Sequence, residues 1–374
     1  MRPLRPYMLV TIFLIGVLFC PVLGGQKVRT VKGVKIIENN DRPVWTKPVV
    51  FELELTVGAS DDPEEGLAQP LGLVVDEAGY IYVADAKAAK IKVFSPKGKL
   101  VRSFGQKGQG PGELGMPGGV NLTSDGRLMV EDVLRRKIIF FSREGKFLEE
   151  KSLATKLGLV NLLLDKEGNF IAREIVVEEK KMFFVIKKFR PDLSEVFQLD
   201  KYEFPNPLQG KINLFNLATF YQFDSRGNIL YAKNDRYEIK YYSPQGKLFQ
   251  VVKKKYKKVK ITKKDIEEIL AKMSTTQGVN IKESLVFSEY FPPIRALSVD
   301  PADRVYVGTY EKGRREKESW MDIFSPQGKF LARSLTSATP FYWQGDRVFS
   351  IEDNEEGYQV VRRYLVRWPN KSSH

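Results

Sequence analysis

The sequence predicts an all-β protein, a six-bladed β-propeller of four-stranded antiparallel blades, from two observations. One strand-and-turn pattern recurs about six times along the chain, and an alternating segment ahead of the first copy can complete the last. Each copy has an apolar strand, an Asp-x-x-Gly-type turn, a β-branched or aromatic strand and a further strand ending in Gly-Lys. Six such units favour a closed ring, because a ring leaves few strand edges exposed.

The repeat is clearest in the first copy, where residues 72–85 read GLVVDEAGYIYVAD and residues 91–100 read IKVFSPKGKL. The second, fourth and fifth copies keep the pattern well, whereas the third and sixth are weaker. The turn residues of the six copies, in order, are Gly79, Gly126, Gly168, Gly227, Asp303 and Asp346. Three of the five intervals between them lie between 42 and 47 residues, the length of a four-stranded blade.

The last copy has material for only three strands before the chain ends. Residues 49–57 precede the first copy and alternate apolar and polar residues from Val50 onward. We therefore expect this segment to supply the missing strand and close the ring like a clasp. The predicted propeller spans 49–368, with a lead-in at 26–48 and a tail at 369–374.

The first 25 residues predict a cleaved export signal. Arg2 and Arg5 precede an apolar stretch at 8–20, and Val22 and Gly24 suit cleavage after Gly24 or, nearly as well, after Gly25. The stretch is shorter than the roughly 20 apolar residues of a membrane span. Cys20 leaves lipidation as a lesser alternative, disfavoured by Phe19 before it. We expect a periplasmic or extracellular protein without a transmembrane segment after cleavage.

Composition removes several kinds of chemistry. Cys20 is the one cysteine, so the mature chain has no disulfide and no thiol chemistry. The one histidine is His374, the last residue, which excludes a Ser-His-Asp triad or a His-ligated zinc inside the fold. The formal net charge of +14 favours anionic lipids or polymers as partners outside the cytoplasm, not nucleic acid.

Residues 70–114 resemble the NHL-repeat type of exported bacterial six-bladed propeller. The segments IYVAD, IKVFSPKGKLVRSFG and QKGQGPGEL are similar to that family's blade and its glycine-rich link between blades. The resemblance implies the fold and export. It leaves the activity open, since the group includes binding scaffolds, lyases and lactonases.

The glycine-rich segment 105–115 contains a G-x-G-x-x-G spacing at Gly110, Gly112 and Gly115. In a dinucleotide site this motif opens a helix after a strand, whereas here it leaves a β-meander, and Pro111 and Gly115 disfavour a helix. We interpret the segment as a tight connection that needs positive φ angles.

Acidic residues recur six positions after the turn in four of the six copies. The positions are occupied by Asp85, Asp132, Glu174, Lys233, Thr309 and Glu352. The four carboxylates are candidate ligands for Ca²⁺, which binds oxygen ligands. The alternative, which we favour, is that each bonds the backbone amides of its own turn, because Lys233 and Thr309 interrupt the ring.

A lysine-rich insertion, at about 253–291, separates the fourth and fifth copies. It begins with the predicted basic patch of Lys253, Lys254, Lys255, Lys257 and Lys258. A helix from 263 to about 273 follows, with Thr262 and Asp265 as a near capping box and an apolar stripe that includes Ile266 and Ile269. The lysines are either solvated or bind anionic lipid, polymer or an acidic partner.

The sequence therefore predicts a monomeric, exported propeller that binds a ligand or protein. It predicts no catalytic residue and no required cofactor. The alternative is a lactonase-like, divalent-metal-dependent hydrolase that uses carboxylates near the channel.

Overall fold

The computed structural model describes residues 26–153, 160–204, 211–215, 218–272, 285–315 and 317–369. The predicted export signal at 1–25, most of the predicted tail and His374 lie outside these residues. Three strands precede the first repeat: β1 (Gln26–Val31), β2 (Val34–Asn39) and β3 (Val50–Val57).

Blades one to three follow in chain order, and each is a four-stranded antiparallel meander. Blade one comprises β4 (Pro70–Val75), β5 (Ile81–Asp85), β6 (Lys90–Phe94) and β7 (Leu100–Phe104). Blade two comprises β8 (Pro117–Leu122), β9 (Leu128–Asp132), β10 (Lys137–Phe141) and β11 (Phe147–Ser152). Blade three comprises β12 (Val160–Leu164), β13 (Phe170–Glu178), β14 (Lys181–Phe189) and β15 (Glu195–Phe204). The glycine-rich link between β7 and β8 contains no helix, as predicted.

The remaining blades complete the ring. After the short β16 (Ile212–Asn213), blade four comprises β17 (Thr219–Phe223), β18 (Ile229–Lys233), β19 (Glu238–Tyr242) and β20 (Leu248–Lys254). The helix α1 (Lys263–Lys272) and β21 (Leu285–Val286), which pairs with β16, form the insertion. Blade five comprises β22 (Ala296–Val299), β23 (Val305–Lys312), β24 (Ser319–Phe324) and β25 (Phe330–Thr336). Blade six comprises β26 (Tyr342–Gln344), β27 (Arg347–Asp353), β28 (Gln359–Arg367) and β3.

The predicted clasp is confirmed, because β3 pairs antiparallel with β28 from Val361 opposite Val57 to Arg367 opposite Val50. Strand β3 is thus the outermost strand of the last blade. The helix between blades four and five is confirmed as well.

The core consists of layers between consecutive blades. Six clusters of buried side chains occur in the described part of the chain, one at each blade-to-blade junction. The junction of blades six and one contains Val57 and Phe349 packed with Ile81 and Val83, so the ring is closed by burial as well as by the clasp. The second strand of a blade is buried on both faces, which explains the nearly continuous apolar segment IYVAD.

The repeated turn residues have a structural cause. In the first turn of blade four, Asp224 accepts a hydrogen bond from the Asn228 amide (2.9 Å), and Gly227 has a φ of 77°. In the turn before the last strand of blade two, Gly145 has a φ of 93°, and a Cβ there would lie 2.5 Å from Phe104 of blade one. This glycine therefore provides both the turn and the close approach of neighbouring blades.

The lead-in contains structure that the sequence analysis missed. Strands β1 and β2 form a hairpin, and β2 adds in parallel to β20, with Ile36 opposite Val251, so that blade four has six strands. The chain then crosses blade five, where the amides of Val44 and Trp45 donate to the carbonyls of Phe330 and Leu331 (3.1 and 2.8 Å). Residues 26–57 thus run along the outer edges of blades four, five and six. None of the described helices is long and apolar enough to span a membrane.

Candidate ligand-binding cleft between blades four and five

A cleft of about 510 Å³ lies between blades four and five, on the face of the propeller that carries the turns between second and third strands. Both blades, the insertion and Asp41 of the N-terminal segment contribute to its lining. We refer to it as the interblade cleft. Its volume falls in the range of sites that bind small ligands.

The floor of the interblade cleft is organised by Asp322, a fully buried carboxylate on β24. Its Oδ2 accepts hydrogen bonds from the Tyr237 hydroxyl (2.6 Å) and the Lys254 ammonium (2.9 Å), and its Oδ1 accepts from Arg333 Nε (2.8 Å). Arg333 also pairs with Glu311 (2.6 Å). The two cations and the two carboxylates of the floor are thus paired with one another without a ligand, as buried charges require.

Lys254 is a correction to the predicted surface patch. Its side chain is 6% exposed and its ammonium lies 4.7 Å from the centre of the Phe330 ring, so it belongs to the floor. The sequence predicts that Lys254 lies in a surface insertion, but it is the last residue of β20 and its side chain faces blade five. Burial and then the charge of Asp322 hold the pKa of the Tyr237 phenol, which shares this carboxylate, well above its usual value.

A β-bulge shapes the wall that blade five contributes. Gly308 lies opposite Met321 and Lys312 lies opposite Ser319, so three residues of β23 face the single residue Trp320 of β24. The three bulged residues, Thr309, Tyr310 and Glu311, all line the interblade cleft. Bulges of this kind re-aim side chains beside functional sites.

Aromatic and proline residues at the end of the insertion extend this wall. The Phe291 ring stacks on Tyr310, with centroids 4.5 Å apart and planes 8° apart, and Pro292 and Pro293 follow it along the wall. Backbone hydrogen bonds from Phe291 to Val259 (2.8 Å) and from Ile261 to Glu289 (3.0 Å) fold the insertion into a ribbon. The wall is therefore held by main-chain pairing.

The helix α1 anchors this ribbon to blade five. The Thr262 hydroxyl accepts from the Asp265 amide (3.2 Å), and Asp265 accepts from the Thr262 amide (2.8 Å), which is the predicted capping box. Asp265 also pairs with Lys312 at the end of β23. The cap residue thus joins the insertion to the bulged strand.

The remaining predicted lysines separate into different environments. Lys255 and Lys257 are exposed and line the interblade cleft. Lys253 pairs with Glu238 (3.1 Å), and Lys258 lies 5.3 Å from the centre of the Tyr290 ring. Lys255 and Lys257 therefore form the basic rim of the cleft.

The structure places the four predicted metal-binding carboxylates in four different blades. Asp85 accepts hydrogen bonds from the amides of Ala68 and Gln69 (both 2.9 Å), in the link that enters blade one. Asp132 does the same for Gly115 and Met116 in blade two (2.6 and 3.1 Å). The alternative holds only in part, because each aspartate bonds one amide of its own turn, that of Ala88 (3.4 Å) or Arg135 (3.2 Å), and two of the entering link.

The other two carboxylates contact side chains of their own blades. Glu174 pairs with Lys187 (2.8 Å), and Glu352 accepts from the Tyr364 hydroxyl (2.9 Å) and pairs with Arg362 (3.2 Å). Across the described ranges no three His, Cys, Asp or Glu side chains are grouped so as to hold a metal ion. A chain without a required cofactor, with Ca²⁺ binding as the alternative, stays a prediction.

Sequence reasoning missed the floor of the interblade cleft. One signal was present, since Asp322 interrupts the apolar strand WMDIF at the position where the first and fourth copies have Lys92 and Lys240. A carboxylate inside a buried strand indicates a nearby cation. Its partners Tyr237 and Arg333 carry no comparable signal.

A second buried carboxyl lies away from the cleft, at Glu131 on β9. It is 3% exposed and accepts a hydrogen bond from the Leu162 amide (3.3 Å), and its polar neighbours include the Asn161 amide, Arg173 and Tyr221. Burial raises its pKa to about 7, although the amides and the Arg173 charge oppose this.

Glu131 should make the protein less stable as the pH rises. Unfolded, this carboxyl titrates near about 4.3. Between that pH and about 7 the folded state holds a proton that the unfolded state has lost, so the free energy of unfolding falls by about 4 kcal/mol and then levels off. Urea unfolding at pH 5 and pH 8 should show most of this decrease, and Glu131→Gln should remove it. Equal pH dependence in the two proteins would contradict the assignment.

A closed ring of six four-stranded blades, with a polar cleft on one face, places the chain among the six-bladed β-propellers. Residues 63–290 match the model of the DUF5128 family, described as a 6-bladed beta-propeller, and the chain belongs to that family. No curated protein matches it. The assignment to NHL repeats stays a prediction.

Solved structures show the same fold at low sequence identity. A Bacteroides fragilis protein described as exported is 13% identical, with a TM-score of 0.55, over 89% of this chain and 100% of that one. A DUF4221 family member from Bacteroides vulgatus is 9% identical, with a TM-score of 0.51, over 87% and 100%. A gluconolactonase from Xanthomonas campestris is 12% identical over 87% and 99%, and its TM-score of 0.48 is too low to carry an inference.

Proposed function

We propose that this chain is an exported binding scaffold whose ligand site is the interblade cleft. The observation that carries the proposal is the floor of the cleft, where the carboxylates of Asp322 and Glu311 already pair with Lys254 and Arg333. These pairs lie beneath an open volume of about 510 Å³. A site with a rigid, satisfied floor can bind a ligand without reorganising its own charges. The bulge that turns Tyr310 and Glu311 into the cleft supports the same reading.

Export is part of the proposal and rests on residues 1–25, with their arginines, short apolar stretch and small residues. The mass of the protein recovered from a cell envelope or culture fraction tests it. A chain that begins at Gly25 or Gln26 supports cleavage of a signal peptide. A full-length chain found in the cytoplasm overturns it.

Site-specific photocrosslinking in the native host tests the binding site. A benzophenone amino acid in place of Tyr256, which is 38% exposed and lines the interblade cleft, should yield a defined adduct. The matched control carries the same group at Lys97, an exposed turn residue at the opposite end of the strands. The same products at both positions, or none at Tyr256, would overturn the cleft as the ligand site.

A divalent-metal-dependent hydrolase is the other class that the sequence predicts. The candidate ligands of its cation are Asp85, Asp132, Glu174 and Glu352. Each of them already bonds groups of its own blade or the preceding link. We expect the melting temperature to stay unchanged when Ca²⁺ and then excess chelator are added, because no ligand of the folded state is gained or lost. A rise of several degrees that chelator reverses would favour the hydrolase.

A further inference from the structure

We infer that the interblade cleft binds an acidic peptide segment of a partner protein, one that also carries an aromatic or aliphatic side chain. The inference rests on the proposed function and adds the chemical class of the ligand. Three features of the cleft support it: an excess of positive charge at the rim, an apolar wall, and a concave shape.

The positive charge of the rim is only partly compensated by carboxylates of the lining. At the floor, Asp322 is matched by Lys254 and Arg333, and Glu311 is matched by Arg333. Lys255 and Lys257 have no carboxylate within ion-pair distance in the part of the chain that the structure describes. The exposed Asp41 is the one further carboxylate of the lining, so the rim keeps a net positive charge.

A further cation lies behind the wall. Arg295 precedes β22, and its amide donates to Gly308, the residue before the bulge (2.8 Å). Its guanidinium donates to the Ser319 hydroxyl (2.8 Å), its Nε has no partner, and burial lowers its pKa. Since no carboxylate among the described residues pairs with it, Arg295 adds to the positive potential felt in the cleft.

The wall gives an apolar contact beside these charges. The stacked rings of Phe291 and Tyr310, with Pro292 and Pro293, provide a surface against which a nonpolar side chain can pack. A bare phosphate or a sulfate would leave this surface without a contact. A peptide offers carboxylates and a nonpolar side chain within a few residues.

The shape of the site favours a peptide over an anionic lipid surface. The lysine run is divided, because Lys255 and Lys257 line the cleft, whereas Lys258 lies on Tyr290 and Lys254 is in the floor. A flat bilayer would meet the exposed lysines together but could not enter a cleft between two blades. An extended peptide can place its side chains inside it.

Fluorescence polarisation with a defined probe tests the inference. The probe is a fluorescein-labelled peptide, Glu-Phe-Glu-Leu-Glu-Glu, compared with its counterpart in which glutamine replaces each glutamate. The purified chain should bind the acidic peptide at least about tenfold more tightly than the neutral one, and more weakly as salt rises. Lys255→Glu with Lys257→Glu should weaken binding by about tenfold or more.

The matched control is the double variant Lys97→Glu with Lys247→Glu, which makes the same change in net charge. Both lysines are exposed and lie in turns at the opposite end of the strands. It should leave the affinity within about twofold of the original. Equal losses in both variants, or equal binding of both peptides, would overturn a specific site. If the chain instead binds phosphatidylglycerol vesicles and not the peptide, and the Lys255 and Lys257 variant loses vesicle binding, the ligand is a lipid surface and the peptide inference is wrong. If no probe binds but the Tyr256 crosslink persists, the ligand class is wrong and the cleft stands. If no probe binds and the Tyr256 crosslink is also absent, the peptide inference and the cleft as the ligand site are both overturned.

Discussion

Replacement of Asp85 by asparagine is expected to lower the free energy of unfolding by about 3–5 kcal/mol, the usual effect of breaking a buried ion pair. Asp85 and Lys92 are both fully buried and lie 3.6 Å apart. Lys92 also donates to the carbonyls of Pro63 (2.7 Å) and Gly66. Asp85 accepts from the amides of Ala68 and Gln69 in the same link. This link joins the clasp strand β3 to blade one, so the pair stabilises the point where the ring closes.

Urea unfolding of the variant measures the effect, with Glu64→Gln as the control. Glu64 lies in the same link, but it is 67% exposed and pairs with Lys90 at the surface, so its loss should cost less than about 1 kcal/mol. Addition of Lys92→Met to Asp85→Asn should cost less than the sum of the single changes, because the orphaned charge is removed. A cost for Asp85→Asn no larger than the control's would show that the pair contributes little.

Asp322→Asn is expected to have a similar effect, about 3–5 kcal/mol, because it leaves the buried Lys254 without its carboxylate and removes one of the two carboxylates that pair with the partly buried Arg333. The substitution should also loosen the interblade cleft, since Tyr237, Lys254 and Arg333 are all oriented by this one group. We therefore expect lower stability together with weaker peptide binding.

The control for Asp322 is Asp346→Asn, an aspartate that is 63% exposed and pairs with Arg347 (3.1 Å). It should change the stability by less than about 1 kcal/mol. Asp322→Asn combined with Lys254→Met should recover part of the loss in a double-mutant cycle. Additive losses would indicate that Lys254 and Asp322 act independently and that the floor is not a unit.

The blades, their turns, the clasp and the capped helix were predictable from the sequence because each depends on neighbours along the chain. A positive φ at Gly227, the alternation of residues 50–57 and the Thr262 cap are properties of a few adjacent residues. Repetition strengthened these signals, and a closed ring was then the economical way to bury both faces of each blade.

Tertiary structure alone decided the contents of the candidate site. The parallel addition of β2 to β20 joins residues more than 200 positions apart, and no local pattern specifies that register. Lys254 looked like its lysine neighbours, and its burial depends on Asp322, 68 positions further on. Periodicity reports which face of a strand is buried, but the partner that a buried charge meets is set by the packing of one blade against the next.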